Sequence, residues 1–269
     1  MRIALKVGYI GTNYHGFQTQ PDVRTIEGEL FTSLLKLDII KDPHEANYIA
    51  SGRTDKGVHA LGQVIAFDTT RPDLAIPGAI NSNLPGTIWT WARAQVPDDF
   101  DPRRFAKYRE YMYIIPGKLD ISILNSASGL IEGRHDFLNF ITPEKERSSS
   151  TIVYDLNIRT FGEFTIMEIR ADHFLWHMVR KIATALEMIG NGKRDIQWLE
   201  KMLAPCEFHE ALEPAPANGL ILKNVGYTGI DWKEDAYARK KVSENLQDEF
   251  LWHSVMAQIL KEIRKNMIS

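Results

Sequence analysis

The hydrophobic pattern of this chain passes through strand, helix, strand, strand, helix, strand, and then through the same order again. No other feature narrows the available folds as much. Residues 2 to 9 alternate, with Ile3, Leu5, Val7 and Tyr9 on one side and Arg2, Ala4, Lys6 and Gly8 on the other, which is the period of a half-buried strand. Thr25 stands where a helix N-cap belongs, with Glu27 and Glu29 in the first turn and Ile26, Leu30, Leu34 and Leu37 at helical spacing. Strands are predicted near Tyr48–Ala50, through Gln63–Asp68 and over Ile88–Val96, with a short helix over Ile76–Asn81. The second pass predicts a strand over Tyr108–Ile115, a helix near Ser122–Ile131, and a hairpin of Ile152–Thr160 with Phe164–Arg170. It continues with an amphipathic helix over Asp172–Ile189, a shorter helix over Asp195–Leu203 and a closing strand over Leu220–Val225.

Two βαββαβ units predict an α+β fold: two ferredoxin-like halves side by side, sharing an extended, mostly antiparallel sheet with helices on one face. The expected division is residues 1–100, 101–230 and a helical extension over 231–269. In that extension Leu246, Phe250, His253, Met256, Leu260 and Ile263 share a face, and acids and bases nearly balance. It reads as a packing or dimer-contact helix more than as a nucleic-acid tether. A polar loop, TPEKERSSST over 142–151, interrupts the second half.

Composition excludes several classes. The 269 residues are 44% hydrophobic and 25% charged, as in ordinary globular chains. No run of about 18 apolar residues is present, so no membrane-spanning helix is expected, and the alternating N-terminus does not read as a signal peptide. Cys206 is the sole cysteine. This leaves no intramolecular disulfide and no cysteine-rich zinc site, and fits a reducing cytoplasm. The net charge of −3 means that a nucleic-acid partner needs a local basic groove. The stretch RRFAKYR offers one, with Arg103, Arg104, Lys107 and Arg109 and no acid, although such a cluster is equally a solvated face.

His173 and His177 lie four apart on the expected helix, but Phe174 stands where a zincin carries its glutamate. Neither GxGxxG nor GxxxxGK[ST] occurs, so no phosphate cradle for a nucleotide cofactor is present, and there is no GxSxG elbow. What remains is SGRTDKGVHALGQV, residues 51–64. Gly52 and Gly57 bracket a turn that carries Arg53, Asp55 and Lys56. An adjacent guanidinium favours the charged form of a carboxylate, which suits a nucleophile or electrostatic stabiliser. By spacing alone, Asp55 goes no further than a turn aspartate.

GRTDKGVHA (52–60) resembles the signature of the TruA family of tRNA pseudouridine synthases. GTNYHGFQ (11–18), TIEGEL (25–30), NSNLPGTI (81–88), PDDFDPR (97–103), REYMYII (109–115), HDFLNF (135–140), FLWHMVRKI (174–182) and ANGLIL (217–222) resemble further family segments in family order. Ile10, Asn139, Ser150, Lys181 and Thr184 depart from the family's usual residues.

The resemblance implies an isomerase that converts uridine to pseudouridine in the tRNA anticodon arm, around positions 38–40, with a flipped-out base and with neither cofactor nor metal. It implies Asp55 as catalytic nucleophile, Arg180 as its partner, Tyr111 against the base, Leu220 beneath it, and Arg53 in the vacated space or on a phosphate. Arg103, Arg104, Lys107 and Arg109 become groove residues for the tRNA backbone. A homodimer is also implied. The competing expectations are a non-catalytic RNA-binding protein of the same fold and a metal-dependent hydrolase using His173 and His177.

Overall fold

A single ten-stranded sheet runs through both repeats in the computed structural model, which describes residues 1–144 and 148–268. The first unit comprises β1 (Arg2–Tyr9), α1 (Ile26–Lys36), β2 (Ile49–Ala50), β3 (His59–Asp68), α2 (Pro77–Asn81) and β4 (Ile88–Val96). The second comprises β5 (Tyr108–Pro116), α3 (Ile121–Ile131), β6 (Gly133–Asp136), β7 (Ser150–Phe161), β8 (Phe164–Ala171), α4 (Met178–Gly190), α5 (Ile196–Met202) and β9 (Leu220–Gly226). A short edge strand β10 (Lys233–Glu234) and the long helix α6 (Ala236–Ile268) follow.

Strand order is β10-β4-β1-β3-β9-β5-β8-β7-β6, with β2 beside β3. Within each unit this is the ferredoxin-like order, and the ladders are antiparallel. The two units meet through the one parallel pair among the described residues, His59 with Ile221 and Ala60 with Leu222. Strand β3 is ten residues long, whereas β2 is only two. The Ile65–Ala66 end of β3 therefore pairs with β2, and its opposite end is left for β9. A glycine makes the approach possible: a Cβ on Gly62 would lie 2.5 Å from the Lys223 carbonyl.

The helices cover one face. Leu30, Leu34 and Ile80 pack with Ile3, Leu5, Val7 and Tyr9, while Leu124, Ile131, Ile182, Leu186 and Leu199 pack with Met167 and Ile169. The cores interlock at the seam. Val58 of the first unit packs in the second core, and Leu222 and Val225 of the second unit pack in the first. On the opposite face Lys223 lies 2.8 Å from Glu110 and 3.1 Å from Glu168, and Lys6 sits over the Trp91 and Trp232 rings. No helix of the described residues is long and apolar enough to cross a membrane.

Local signals built most elements as expected. Thr25 accepts a hydrogen bond from the Gly28 N–H, and Asp120 and Asp195 cap α3 and α5 in the same way. Three differences stand out. Strand β1 is buried on both faces, because it is central in the sheet: Arg2 donates to Asp68 and to the Phe100 carbonyl, and Trp89 lies against Gly8. Strands β6 and β10 are too short to carry a period. Helix α4 begins at Met178, not Asp172, since His177 takes a left-handed conformation with φ 65° and Asp172 is bonded to Thr151. Residues 145–147 of the polar loop lie outside the described residues.

Candidate active site

The turn at 51–58 sits where the two units meet, and it is fixed from below. The Thr54 hydroxyl pairs with buried Tyr9 at 2.8 Å, the Thr54 carbonyl accepts from Phe17 N–H, and the Gln63 amide donates to the Gly52 carbonyl. A Cβ on Gly11 would lie 2.0 Å from the Val58 carbonyl, so only glycine admits the opening loop this close. His59 accepts the Gly11 N–H at Nδ1 and lies 3.2 Å from the Asn218 carbonyl at Nε2. This neutral tautomer, donating at Nε2, ties the opening loop of one unit to the last strand of the other.

Asp55 projects from this turn toward the first turn of α4. Its Oδ2 accepts from Arg180 Nη1 at 3.2 Å and lies 3.4 Å from His177 Nε2. Helix α4 opens with no side-chain cap and no acid in its first turn, so the aspartate supplies the anion that this positive helix end favours. The Arg180 Nε donates to the Ala215 carbonyl at 2.6 Å and holds the guanidinium in place. Thr142 shares a hydrogen bond with His177 Nδ1 at 2.9 Å. Burial lowers the His177 pKa; the Asp55 charge opposes that shift, and Arg180 and Lys181 add to it.

These groups lie on a cavity of about 880 Å³. Tyr111, Leu220, Phe174, Trp176, Arg53, Arg103 and Arg109 also line it. Tyr111 meets Phe174 edge-on at 5.1 Å, and burial pushes its phenol up to about 12, so it is a wall and a poor base at neutral pH. The site is a carboxylate in a cationic, aromatic-lined cleft, an arrangement that suits a flat, polar ligand.

The structure thus brings together Asp55, Arg180, Tyr111 and Leu220 from both units. Arg53 is exposed at the cavity, and among the described residues no hydrogen bond or ion pair holds it. Arg103, Arg104 and Lys107 are exposed, but Arg109 is turned inward, donating to the Ser51, Arg103 and Asp172 carbonyls. Arg109 lines the cavity and also braces the cleft, its terminal nitrogens on backbone oxygens.

His173 and His177 do not share a helix face. His173 precedes α4 and lies by Asp172 and Thr151, and no group of three potential metal-ligating side chains forms among the described residues. Met178 is core, whereas His177, offered by the sequence only as half of a metal pair, faces Asp55. Its place three residues before Arg180 was the available signal.

Most of the unusual residues serve packing. Buried Asn139 donates to the Met202 and Phe208 carbonyls and accepts from Glu210 N–H. Lys181 donates to the Ile141 carbonyl, and Thr184 to that of Glu213.

The family model described as tRNA pseudouridine synthase matches residues 6–103 and 127–228. Among curated relatives, "tRNA pseudouridine synthase A" of Methanococcoides burtonii is 51% identical, covering 98% of this chain and 96% of its own. The protein so named in Methanosarcina mazei is 52% identical, covering 98% of both chains, and that of Archaeoglobus fulgidus is 40% identical over the whole of both. A solved structure, "Crystal Structure of a Cbf5-Nop10-Gar1 Complex", superposes with a TM-score of 0.33 at 14% identity, covering 68% of this chain and 54% of that one. The family model and the curated relatives define the class, an RNA-modifying isomerase. The chain belongs to the tRNA pseudouridine synthase family.

Proposed function

We propose that Asp55 is the nucleophile of this isomerase and that its target is a uridine of the tRNA anticodon arm, around positions 38–40, extruded from the helix into the cavity. The observation that carries the reading is the Asp55 carboxylate held against Arg180 inside a cleft large enough for a nucleotide. In one route the carboxylate attacks C1′, the N1–C1′ bond breaks and its electron pair leaves with uracil; in the other it takes the C2′ proton as that bond breaks, giving a glycal. The ring turns and a C5–C1′ bond forms as the carboxylate leaves C1′ or returns its proton to C2′; C5 then loses a proton and N1 gains one. Tyr111 and Leu220 sandwich the base, and Arg53 reaches into the space it vacated or holds a phosphate. Arg103, Arg104 and Lys107 attract the RNA backbone, which makes binding weaken as salt rises.

The test is unmodified tRNA incubated with the protein, pseudouridine mapped by chemical tagging. Wild type modifies the anticodon arm, whereas Asp55→Ala binds tRNA and forms no product. Product from Asp55→Ala at the wild-type rate removes the nucleophile.

Two copies associate in this reading, in the cytoplasm. Its support is α6, on which Trp252, Met256, Ile259, Ile263 and Met267 stand exposed at three- and four-residue spacing, a stripe that can mate with its own copy. Light scattering at the monomer mass would refute it.

A further inference from the structure

Trp176 has no role in the reading above, yet it is a large aromatic placed where a core gains little from it. Its residue is 46% exposed, on the loop just before α4, and it lines the same cavity as Asp55. Its indole leans on the His177 imidazole, ring centroids 4.7 Å apart and planes 33° from parallel, and His177 in turn lies 3.4 Å from Asp55. The loop that carries it is anchored: the Trp176 carbonyl accepts from Thr142 N–H, and the Leu175 carbonyl from Met178 N–H. The ring is therefore presented on a fixed support.

Besides Phe17 and Tyr48, two aromatic groupings line the cavity. Tyr111 and Phe174 meet edge-on beside Leu220, a pocket for one base. Trp176 with His177 forms a second, more open surface. The volume of about 880 Å³ is near the upper end of the roughly 300–1,000 Å³ that encloses a whole drug-sized ligand, which leaves room beyond a single extruded pyrimidine nucleotide. A half-exposed indole in a cavity that arginines also line is the chemistry on which single-stranded bases stack without sequence preference.

We propose that Trp176 is a stacking shelf for a second nucleobase of the RNA, the one flanking the extruded uridine. This rests on the reading of Asp55 as the site of RNA chemistry and adds a subsite to it. Holding the neighbour unstacked from its own strand compensates for part of the cost of extrusion and sets how the strand enters the cleft.

The experiment measures binding without turnover. In an Asp55→Ala background, affinity for an anticodon stem-loop hairpin is compared for Trp176, Trp176→Phe and Trp176→Ala, using a hairpin with every base present and others abasic at either neighbour of the target uridine. The expected result is binding about 10- to 100-fold weaker for Trp176→Ala, largely preserved in Trp176→Phe, with unchanged melting temperature. One abasic neighbour should weaken binding to the Trp176 protein by a similar factor and add nothing to the Trp176→Ala loss. Equal affinity for Trp176 and Trp176→Ala, or abasic losses that multiply with the mutation, overturns the shelf. A wild-type protein that leaves the intact hairpin unmodified would instead overturn the catalytic reading, while the binding comparison still reads the shelf.

Discussion

Replacing Arg180 with methionine keeps the volume and removes the charge that holds Asp55. At 3.2 Å two unit charges attract by about 5 kcal/mol at an effective dielectric near 20, and by about 1.3 kcal/mol in bulk water. The Arg180 side chain is 13% exposed and that of Asp55 37%, so the pair sits between these limits, and a charge-assisted hydrogen bond contributes about 1.5–3 kcal/mol. A loss of about 2–3 kcal/mol of transition-state stabilisation corresponds to a kcat/KM roughly 30- to 150-fold lower. The variant also loses the Nε bond to the Ala215 carbonyl, which costs about 1 kcal/mol of stability, or a melting temperature lower by about 2–4 °C. Arg180→Lys restores the charge without the fork and should fall between the two. The assay is pseudouridine formation on a single tRNA transcript, with folding checked by thermal melting. If Arg180→Met retains kcat/KM within about threefold of wild type while properly folded, the ion pair does not organise the carboxylate and the proposed chemistry loses its support.

Acid sensitivity should appear above the carboxylate range. Burial lowers the pKa of both His59 and His177 from the usual 6.5, with the Asn218 carbonyl and the Asp55 charge respectively pulling upward. The unfolded chain therefore binds more protons just below pH 6.5, and stability is lost as pH falls through that value. Asp68 and Asp172, whose pKa values are lowered, lose theirs only below about pH 4. Urea midpoints at pH 7.5 and 5.5 should drop in wild type and drop less in His59→Gln; equal drops would remove His59 as a source. Asn139→Ala strands two buried carbonyls and one N–H, and should cost about 2–4 kcal/mol in urea unfolding with unchanged activity per folded molecule. Unaltered stability would show that this asparagine is not the clamp for residues 202–210.

The sequence by itself determined the repeat, most elements and the turn that carries Asp55. Period-two and period-3.6 patterns are written by burial of one face, so β1, β4, α1 and the hairpin β7–β8 were readable within a residue or two. Caps such as Thr25 are local chemistry and were readable for the same reason. The turn at 51–58 was legible as a motif, and Asp55 with it. Only the tertiary structure decided what that aspartate faces. Arg53, its neighbour in sequence, is exposed and unpaired among the described residues, whereas Arg180, 125 residues away, is bonded to it. The start of α4 was misplaced because His177 leaves the helical region to reach toward Asp55, a long-range contact that no local propensity encodes. The inward turn of Arg109, the clamp at Asn139 and the bridge at His59 were hidden for the same reason: each side chain bonds to backbone from a distant segment, and a carbonyl carries no residue-specific mark in the sequence. The parallel β3–β9 seam was equally silent, although it is the contact that brings the two halves of the site together.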